Sequence, residues 1–344
     1  MPNVLDIRRR IRSVRNTRQI TKAMKMVSAA KLRRAQERAL SARPYAQMLT
    51  NVLRSLVNRA DLYDPETGAP RHPLLADRPE KKILFIVVSG DKGLAGAFNT
   101  NVNKAALRLV ELRPDKDIDI IAVGKKARDF LRRRFPTGTV EERAGRVQLI
   151  GEYVNVLGHL RFEDISDISE NAIARFTAGE IDSVYILHNE FKSVISQRLL
   201  VARVLPIKEI GVREVAEAVE MTDEERQRLA QAAESAGVSV ETPSTAEIDR
   251  AAAQFATAKV DYIYEQSPEE LFRALLPKYV SGEIFRAMLE SIAAEHAARM
   301  TAMESASNNA SEMIDSLTLA MNRARQAKIT KEIIEIVSGA AAQG

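Results

Sequence analysis

The chain has 344 residues, contains neither Cys nor Trp, and carries a formal net charge of +5. Its 45% hydrophobic and 28% charged residues are typical of a folded, water-soluble protein, and its length predicts two domains or one domain with a long extension. The lack of cysteine excludes a disulfide framework, a thiolate metal site and a cysteine nucleophile, and apolar runs of about six residues are far too short to cross a membrane.

The first predicted element is a long basic helix, because residues 3–43 contain neither Gly nor Pro. Such a helix would be roughly 60 Å long, and Pro44 should kink or end it. Its apolar residues recur at helical spacing: Val4, Ile7, Ile11, Val14, Ile20, Met24, Val27 and Ala30. Residues 1–40 hold twelve Lys or Arg against two acids, a net charge of +10. Such a start is typical of a transit peptide or of an arm that binds nucleic acid.

The middle of the chain alternates between predicted strands and helices. Strands are expected at 82–88, 118–123 and 183–188, and 197–205 could return antiparallel at the sheet edge. Helices are expected at 99–112, through the basic stretch that ends at Arg134, and at 163–178. This alternation predicts a small Rossmann-like α/β domain at 80–207 with a mostly parallel sheet.

The glycine-rich loop at 89–96 does not match a nucleotide-binding motif. Gly90 and Gly96 are separated by five residues, Ala97 follows, and Lys92 is misplaced for a phosphate-binding loop. The four histidines are scattered without metal-ligand spacing, and Glu295-His296 is expected on a solvated helix face. We therefore expect no catalytic residue, no metal and no cofactor.

An acidic segment follows the predicted sheet, at about 208–259. Between residues 209 and 258 lie eleven acids and four arginines, a net charge of −7. Thr222 to Glu225 has the sequence of a helix capping box, and Ser244 to Glu247 offers a second one. The segment is predicted to form one or two short surface helices.

The last predicted element is a second long helix, at 268–344. The 56 residues between Gly282 and Gly339 include neither Gly nor Pro, which allows a helix of roughly 84 Å. Steps of three and four residues predict a coiled-coil seam: Met300, Met303, Ser307, Ala310, Ile314, Leu317, Met321 and Ala324. It should pair antiparallel with the first helix, at 1–62. The pair would project far beyond a domain about 30 Å across, and the apolar end should be enclosed by another protein.

Four stretches of sequence resemble one family, the gamma subunits of F-type ATP synthases. The stretches lie at 16–31, 89–99, 295–303 and 329–342, in the order in which the family has them. The resemblance covers nearly the whole chain except about 209–258. Chloroplast and cyanobacterial gamma subunits also have an insertion near this point, but the chloroplast thiol switch needs two cysteines that this chain lacks. Since the family's mature sequence has the same basic start, the resemblance argues against a transit peptide.

The resemblance implies a non-catalytic central rotor. In this family the two long helices form an asymmetric antiparallel coiled coil inside a ring of alternating alpha and beta subunits. The α/β domain sits with the epsilon subunit on the membrane c-ring, so membrane contact would come only through partners, on the cytoplasmic face of the bacterial inner membrane. The resemblance assigns eight residues to contacts with the ring, either with loops of the beta subunits or with the bearing, the surface that encloses the end of the last helix. They are Met24, Lys25, Arg325, Gln326, Thr330, Glu332, Ile336 and Val337.

Two other classes of function remain open on the residues alone. The basic first helix is compatible with a coiled coil that binds nucleic acid. However, its apolar seam runs through the basic region and no aromatic residue precedes Tyr45, which favours a solvated face or an acidic protein partner. An α/β enzyme with a helical oligomerisation arm is the third possibility.

Overall fold

The structure is a computed structural model that describes residues 4–57, 59, 63–64, 66–140, 142–239 and 265–341, with side chains up to residue 338. Two helices dominate it: α1 spans Val4–Val57 and α6 spans Pro268–Ala341. They run antiparallel, because Arg18 contacts Ser311 while Lys25 contacts Glu304. We call this helix pair the shaft. The predicted pairing of the two chain ends is confirmed.

Neither helix stops at its proline. The sequence suggested a kink or an end at Pro44, but α1 continues for another thirteen residues to Val57. Likewise α6 passes through Pro277 and Gly282. Leu49, Leu53 and other residues beyond Pro44 are buried, so packing compensates for the backbone hydrogen bond that a proline removes.

A six-stranded sheet lies between the two helices in sequence. Its strands are β1 Lys82–Val88, β2 Asp117–Val123, β3 Val147–Tyr153, β4 Ser183–Ser193, β5 Ser196–Leu205 and β6 Glu214–Glu220. Their spatial order is β3-β2-β1-β4-β5-β6, with β1 to β4 parallel and β5 and β6 antiparallel to their neighbours. The Rossmann-like α/β fold with a mostly parallel sheet is therefore confirmed.

Two strands were absent from the sequence prediction. β3 was missed because Gly151 and Glu152 interrupt its apolar pattern, and the strand expected third is therefore the fourth. β6 lies in the segment that was expected to be helical, and it displaces β5 from the edge of the sheet. β6 has Glu at every third position and is largely exposed, so it lacks the two-residue alternation that predicts a strand.

Both faces of the sheet are covered by helices: α2 Phe98–Glu111, α3 Lys125–Leu131 and α4 Glu163–Thr177, together with the shaft. Alternate residues of β1 enter two separate cores, as strand geometry requires. Ile83 and Phe85 join a core with α2 and α3, whereas Leu84 and Ile86 join the larger core with α4 and the shaft. The α/β domain is thus built directly onto the shaft.

Helix α5, Asp223–Ser235, begins with the predicted capping box between Thr222 and Glu225. It packs against the shaft through a small apolar face that includes Leu229, Ala232 and Ala233. Two cations of α1 meet its C-terminal end: Lys25 donates to the hydroxyl of Ser235 and Arg33 donates to the carbonyl of Gly237. Cations are favourable at this end of a helix dipole. The second capping box, at 244–247, lies outside the described residues.

Candidate functional site

The seam of α1 follows a stricter repeat than its apolar residues suggest. Buried or half-buried positions step by three and four residues from Ile7 through Ile11 and Val14, and then continue through the polar residues Arg18, Thr21, Lys25 and Ser28. Ile20 and Val27, predicted in the seam, are instead 60% and 56% exposed, and Ala30 is exposed as well. Ile20 lies six residues after Val14, which breaks the three-four pattern, so the repeat and not hydrophobicity decides which side faces α6.

Polar contacts therefore join the two helices in the middle of the shaft. The hydroxyls of Thr21 and Ser307 lie 2.7 Å apart, and the Nζ of Lys25 lies 2.6 Å from a carboxylate oxygen of Glu304. Toward the end of the molecule, Ile7, Ile11 and Ile314 restore an apolar seam. On α6 the predicted seam is confirmed, since all eight of its residues are buried or half-buried.

Beyond this apolar cluster no other element of the described residues covers α6. Its last contacts with α1 in the cluster involve Leu317, Met321 and Ala324, and the remaining residues 325–341 are still helical. We call residues 325–338 the tip. It extends roughly 20 Å, and its apolar side chains are exposed: Ile329 47%, Ile333 55%, Ile334 59%, Ile336 72% and Val337 62%. Each of these would gain from burial against a partner.

The tip contains six of the eight residues that the resemblance assigned to partner contacts. All six are exposed: Arg325, Gln326, Thr330, Glu332, Ile336 and Val337. Glu332 pairs with Lys328 one turn earlier, with 3.6 Å between the Nζ and a carboxylate oxygen. The predicted contacts themselves stay predictions, but the tip presents these side chains to any surface around it.

The other two predicted residues lie in the middle of the shaft. Met24 is half-buried. Lys25 was expected to contact a partner subunit, but its side chain is buried between Glu304 and Ser235. In this conformation Lys25 serves an internal ion pair, and contact with a partner would require Lys25 to leave Glu304.

The glycine-rich loop holds the shaft. Glu295 and Arg299, one helical turn apart in α6, are both buried and form an ion pair, and Arg299 Nε also donates to the carbonyl of Gly93 at 3.3 Å. A Cβ on Gly90 would lie only 2.6 Å from Oε1 of Glu295. We call these four residues the anchor. The expectation that Glu295 lies on a solvated face was wrong.

The anchor occupies the carboxyl edge of the parallel sheet, next to β1, where the strand order reverses. Open α/β sheets bind ligands at this switch point. In this chain the switch point is occupied by the carboxylate of Glu295 and the guanidinium of Arg299. Helical periodicity places Glu295 and Arg299 on one face but does not reveal that the loop at 90–93 covers that face, so sequence reasoning missed the anchor.

Several ionisable side chains in the anchor and beside it are buried, and burial shifts their pKa values. Burial, together with the positive charges of Arg299 and Lys31, lowers the pKa of His296 to about 4. Burial raises the pKa of Glu295 despite the neighbouring Arg299. His188, fully buried on β4, has its pKa lowered by burial, although Glu290 lies 3.4 Å from its Nε2. Of these groups, His188 and Glu290 lie where β4 meets α6.

Several cations of the basic first helix are also engaged within the chain. Arg18 contacts Ser311, Lys25 pairs with Glu304, and Arg38 donates to the carbonyl of Leu160. In the part of the chain that the structure describes, no cluster of acidic and histidine side chains could hold a metal ion. Nor is any helix of the described ranges long and apolar enough to cross a membrane.

Taken together, these features define a stalk protein. An α/β domain is fixed to one end of an antiparallel coiled coil, and at the other end a single helix exposes several apolar side chains in the described part of the chain. The comparisons with known proteins give the same class. A family model described as ATP synthase matches residues 3–343. The ATP synthase gamma chain of Solibacter usitatus is 47% identical over 342 residues, covering 99% of both chains.

Further relatives and solved structures agree. The ATP synthase gamma chain of Anaeromyxobacter dehalogenans (strain 2CP-C) is 41% identical, covering 99% of this chain and all of the relative. A chain of the Euglena gracilis mitochondrial ATP synthase F1/c-ring structure matches with a TM-score of 0.54 at 17% identity, covering 99% of this chain and 94% of that chain. One from the Tetrahymena thermophila central stalk and c-ring gives 0.51 at 22%, covering 84% and 99%. At such low identities these structures support the fold alone.

The chain belongs to the ATP synthase gamma chain family. It is therefore the central stalk subunit of the rotary ATP synthase and not one of its catalytic subunits. Its parts are the shaft, the tip and the anchor. The alternatives of a nucleic-acid-binding coiled coil and of an α/β enzyme lose their support.

Proposed function

We propose that the shaft turns inside a ring of alternating alpha and beta subunits, with the α/β domain and an epsilon subunit seated on the c-ring. The observation that carries this proposal is the tip, where five apolar side chains lie exposed within fourteen residues of one helix: Ile329, Ile333, Ile334, Ile336 and Val337. An enclosing ring would bury it, and apolar contacts suit a bearing because they have no fixed direction and exchange easily during rotation.

The contacts with the ring would come from two levels of the shaft. At the tip, Ile336 and Val337 would form the bearing, and Arg325, Gln326, Thr330 and Glu332 would meet loops of the beta subunits. In the middle of the shaft, half-buried Met24 would also contact the ring. Lys25 would bind an acidic loop of a partner only if its ion pair with Glu304 breaks. Arg325 makes no ion pair within the described chain, so its charge is available to a carboxylate of a partner.

The asymmetry of the shaft supplies a mechanism for driving three sites in turn. α5 lies against one side of the α1–α6 pair, and Ile20 and Val27 are exposed on α1. A single chain of this shape presents a different surface to each site of a threefold ring. Each surface biases the conformational equilibrium of the site it touches, and rotation passes these biases around the ring.

We place the stalk at the cytoplasmic face of a bacterial inner membrane, in contact with the membrane only through partner subunits. The bacterial source of the relatives with 40% identity or more supports this location. For the acidic segment at 208–259 we propose a surface excursion of the α/β domain, supported by the edge position of β6 and by α5 on the shaft. For the domain limits we keep 1–62, 80–207, 208–259 and 268–344.

The bearing can be tested by making it polar. In the double variant Ile336→Asp with Val337→Asp, two exposed apolar side chains become carboxylates, which would be costly to enclose. We expect co-purification of alpha and beta subunits to fall at least several-fold, while the thermal transition of the isolated chain stays unchanged. Leu112→Asp, at an exposed position of the α/β domain, is the matched control and should assemble normally.

Two results would contradict the proposal. Full assembly and parental ATPase rates of the complex with the double variant would show that the tip is not enclosed. A large drop in the thermal transition of the isolated variant chain would show that the tip supports its own fold. Binding of DNA by the isolated chain above physiological salt would instead favour the nucleic-acid alternative.

A further inference from the structure

A groove of about 610 Å³ lies between α1 and α6 beside the α/β domain. Its lining includes the small residues Ala42, Ala46 and Gly282 and the aromatic rings of Phe162 and Phe191. Gly282 faces open space, since no atom lies within 4 Å of the position that a Cβ would occupy. The volume falls within the range of about 300–1,000 Å³ that small-molecule sites occupy.

Specific contacts hold the walls of the groove in place. The hydroxyl of Tyr279 accepts a hydrogen bond from the backbone N–H of Gly211 at 2.9 Å. Arg54 Nε donates to the carbonyl of Ile210 at 3.0 Å. The ring of Phe162 stacks edge-on against Phe285, with 5.7 Å between the ring centroids. The groove is thus preformed, which lowers the ordering cost of filling it.

The groove has an excess of positive charge. Its two carboxylates are already paired: Arg213 lies 3.5 Å from Glu283 and 3.1 Å from Glu290, and Arg286 lies 2.9 Å from Glu290. Arg43, by contrast, makes no ion pair or hydrogen bond among the described residues. An anion entering the groove would therefore meet an uncommitted guanidinium.

A second polar group in the lining also lacks a partner. The Oε1 atom of Gln47 is shielded from solvent and makes no hydrogen bond in the described part of the chain. Gln47 lies one turn from Arg43 on α1, and both residues line the groove. A buried amide oxygen without a partner costs free energy. A ligand with a donor would satisfy this oxygen, and if the amide is rotated by 180° its NH2 group takes that position and can donate to an anion.

We propose that this groove binds a small amphipathic anion, with an apolar body between the two helices and its charged group at Arg43. The small and aromatic lining fits the apolar body, and the uncommitted guanidinium specifies the sign of the charge. The site is separate from the tip and the anchor, so it stands or falls independently of the proposed contacts with the ring.

The fluorescent probe 1-anilinonaphthalene-8-sulfonate has an apolar aromatic body and one sulfonate. We expect it to bind the full-length chain saturably at one site above any weak background at the tip. Gly282→Leu should weaken this binding at least tenfold, because its side chain enters the groove where space is open. Gly158→Leu, at a glycine that also faces open space but does not line the groove, is the matched control and should bind normally.

The charge is tested separately. Arg43→Gln should weaken the anionic probe roughly tenfold, since a charge-assisted contact is lost, and should leave the uncharged N-phenyl-1-naphthylamine unaffected. This variant keeps the test open if Gly282→Leu fails to fold. Dodecanoate, an aliphatic anion, should displace the probe, whereas neutral dodecanol should compete more weakly.

Three results would overturn the proposal. Equal binding by the parent and Gly282→Leu chains would show that the probe binds elsewhere. An equal loss for both probes in Arg43→Gln would show that charge plays no part. Loss of probe binding on assembly with alpha, beta and epsilon subunits would show that a neighbouring subunit fills the groove; retention in the assembled complex supports a ligand site.

Discussion

Strand β1 and the tip are made of the same residue types in opposite surroundings. Ile83 and Ile86 in β1 have no exposed surface, whereas Ile333 and Ile336 at the tip are more than half exposed. In β1 two cores within the chain cover the apolar side chains. At the tip the described chain offers nothing comparable, so the same hydrophobic surface is left for a partner. Hydrophobicity alone therefore does not distinguish a core from an interface.

The helix at the tip is also held together differently. Glu332 and Glu335 form pairs with Lys328 and Lys331, each with 3.6 Å between charged atoms. Such pairs on an exposed helix contribute only about 0.2–0.5 kcal/mol each. The tip is thus a continuation of α6 with local support, whereas β1 is fixed by long-range packing. Substitutions should affect stability in one region and assembly in the other.

The largest expected effect comes from the core. Phe85 on β1 is almost fully buried, and Phe85→Ala should lower the free energy of unfolding by roughly 3–5 kcal/mol, because it removes buried surface and leaves a cavity. Ile334→Ala, at the tip, should change it by less than about 0.5 kcal/mol. Chemical denaturation of the two isolated variant chains measures both values. A loss above 2 kcal/mol of unfolding free energy for Ile334→Ala would show that the tip is packed within the chain and is not left for a partner.

The anchor offers a sharper test, because two glycines of one loop should behave differently. A Cβ on Gly90 would lie 2.6 Å from Oε1 and 2.7 Å from Cδ of Glu295, whereas a Cβ on Gly93 would lie 3.8 Å from its nearest neighbour, Cε of Lys126. Gly90→Ala should cost about 1–3 kcal/mol of unfolding free energy, because it displaces a buried, paired carboxylate. Gly93→Ala should lie within about 0.5 kcal/mol of the parent.

The same variants connect the anchor to function. If the anchor fixes the shaft to the α/β domain, the assembled Gly90→Ala complex should hydrolyse ATP with weaker proton pumping, while the Gly93→Ala complex matches the parent. Pumping is followed by dye quenching in inverted vesicles. Equal unfolding free energies for the two alanine variants would mean that Glu295 moves aside freely and does not anchor the shaft.

Regular patterns made the architecture predictable from sequence. The absence of Gly and Pro revealed the two long helices, and unbroken apolar runs identified β1, β2 and β4. The seam of α6 was read correctly because its own small and apolar residues keep the three-four repeat. In α1 the repeat passes through Arg18, Thr21 and Lys25, so a search for apolar residues selected Ile20 and Val27, which face outward.

Features that depend on contacts between distant segments could not be predicted. Glu295 and Arg299 look like an ordinary exposed helical pair, and only the folded chain brings the loop at Gly90 onto them. Lys25 looked available to a partner because Glu304 and Ser235 are remote in sequence. By contrast, the tip residues are exposed in the described part of the chain, and their contacts with a partner stay predictions.

The smallest predicted effect is a pH dependence located beside the anchor. Burial lowers the pKa of His296 to about 4 from an ordinary 6.5. Between these values the unfolded chain binds a proton that the folded chain does not, so the free energy of unfolding should fall as the pH is lowered from 6.5 to 4. Well above 6.5 His296 is neutral in both the folded and the unfolded chain, so it adds no pH dependence there. Because His296 is partly exposed, we expect about 1–2 kcal/mol across this range.

Urea unfolding of the isolated chain at several pH values between 4 and 6.5 measures this slope. His296→Gln should reduce it, and His159→Gln, at an exposed histidine, should leave it as in the parent. Glu295, whose pKa burial raises, acts in the opposite direction and is present in both variants, so the difference between them isolates His296. Identical slopes for the parent and His296→Gln would mean that His296 is solvated in the folded chain.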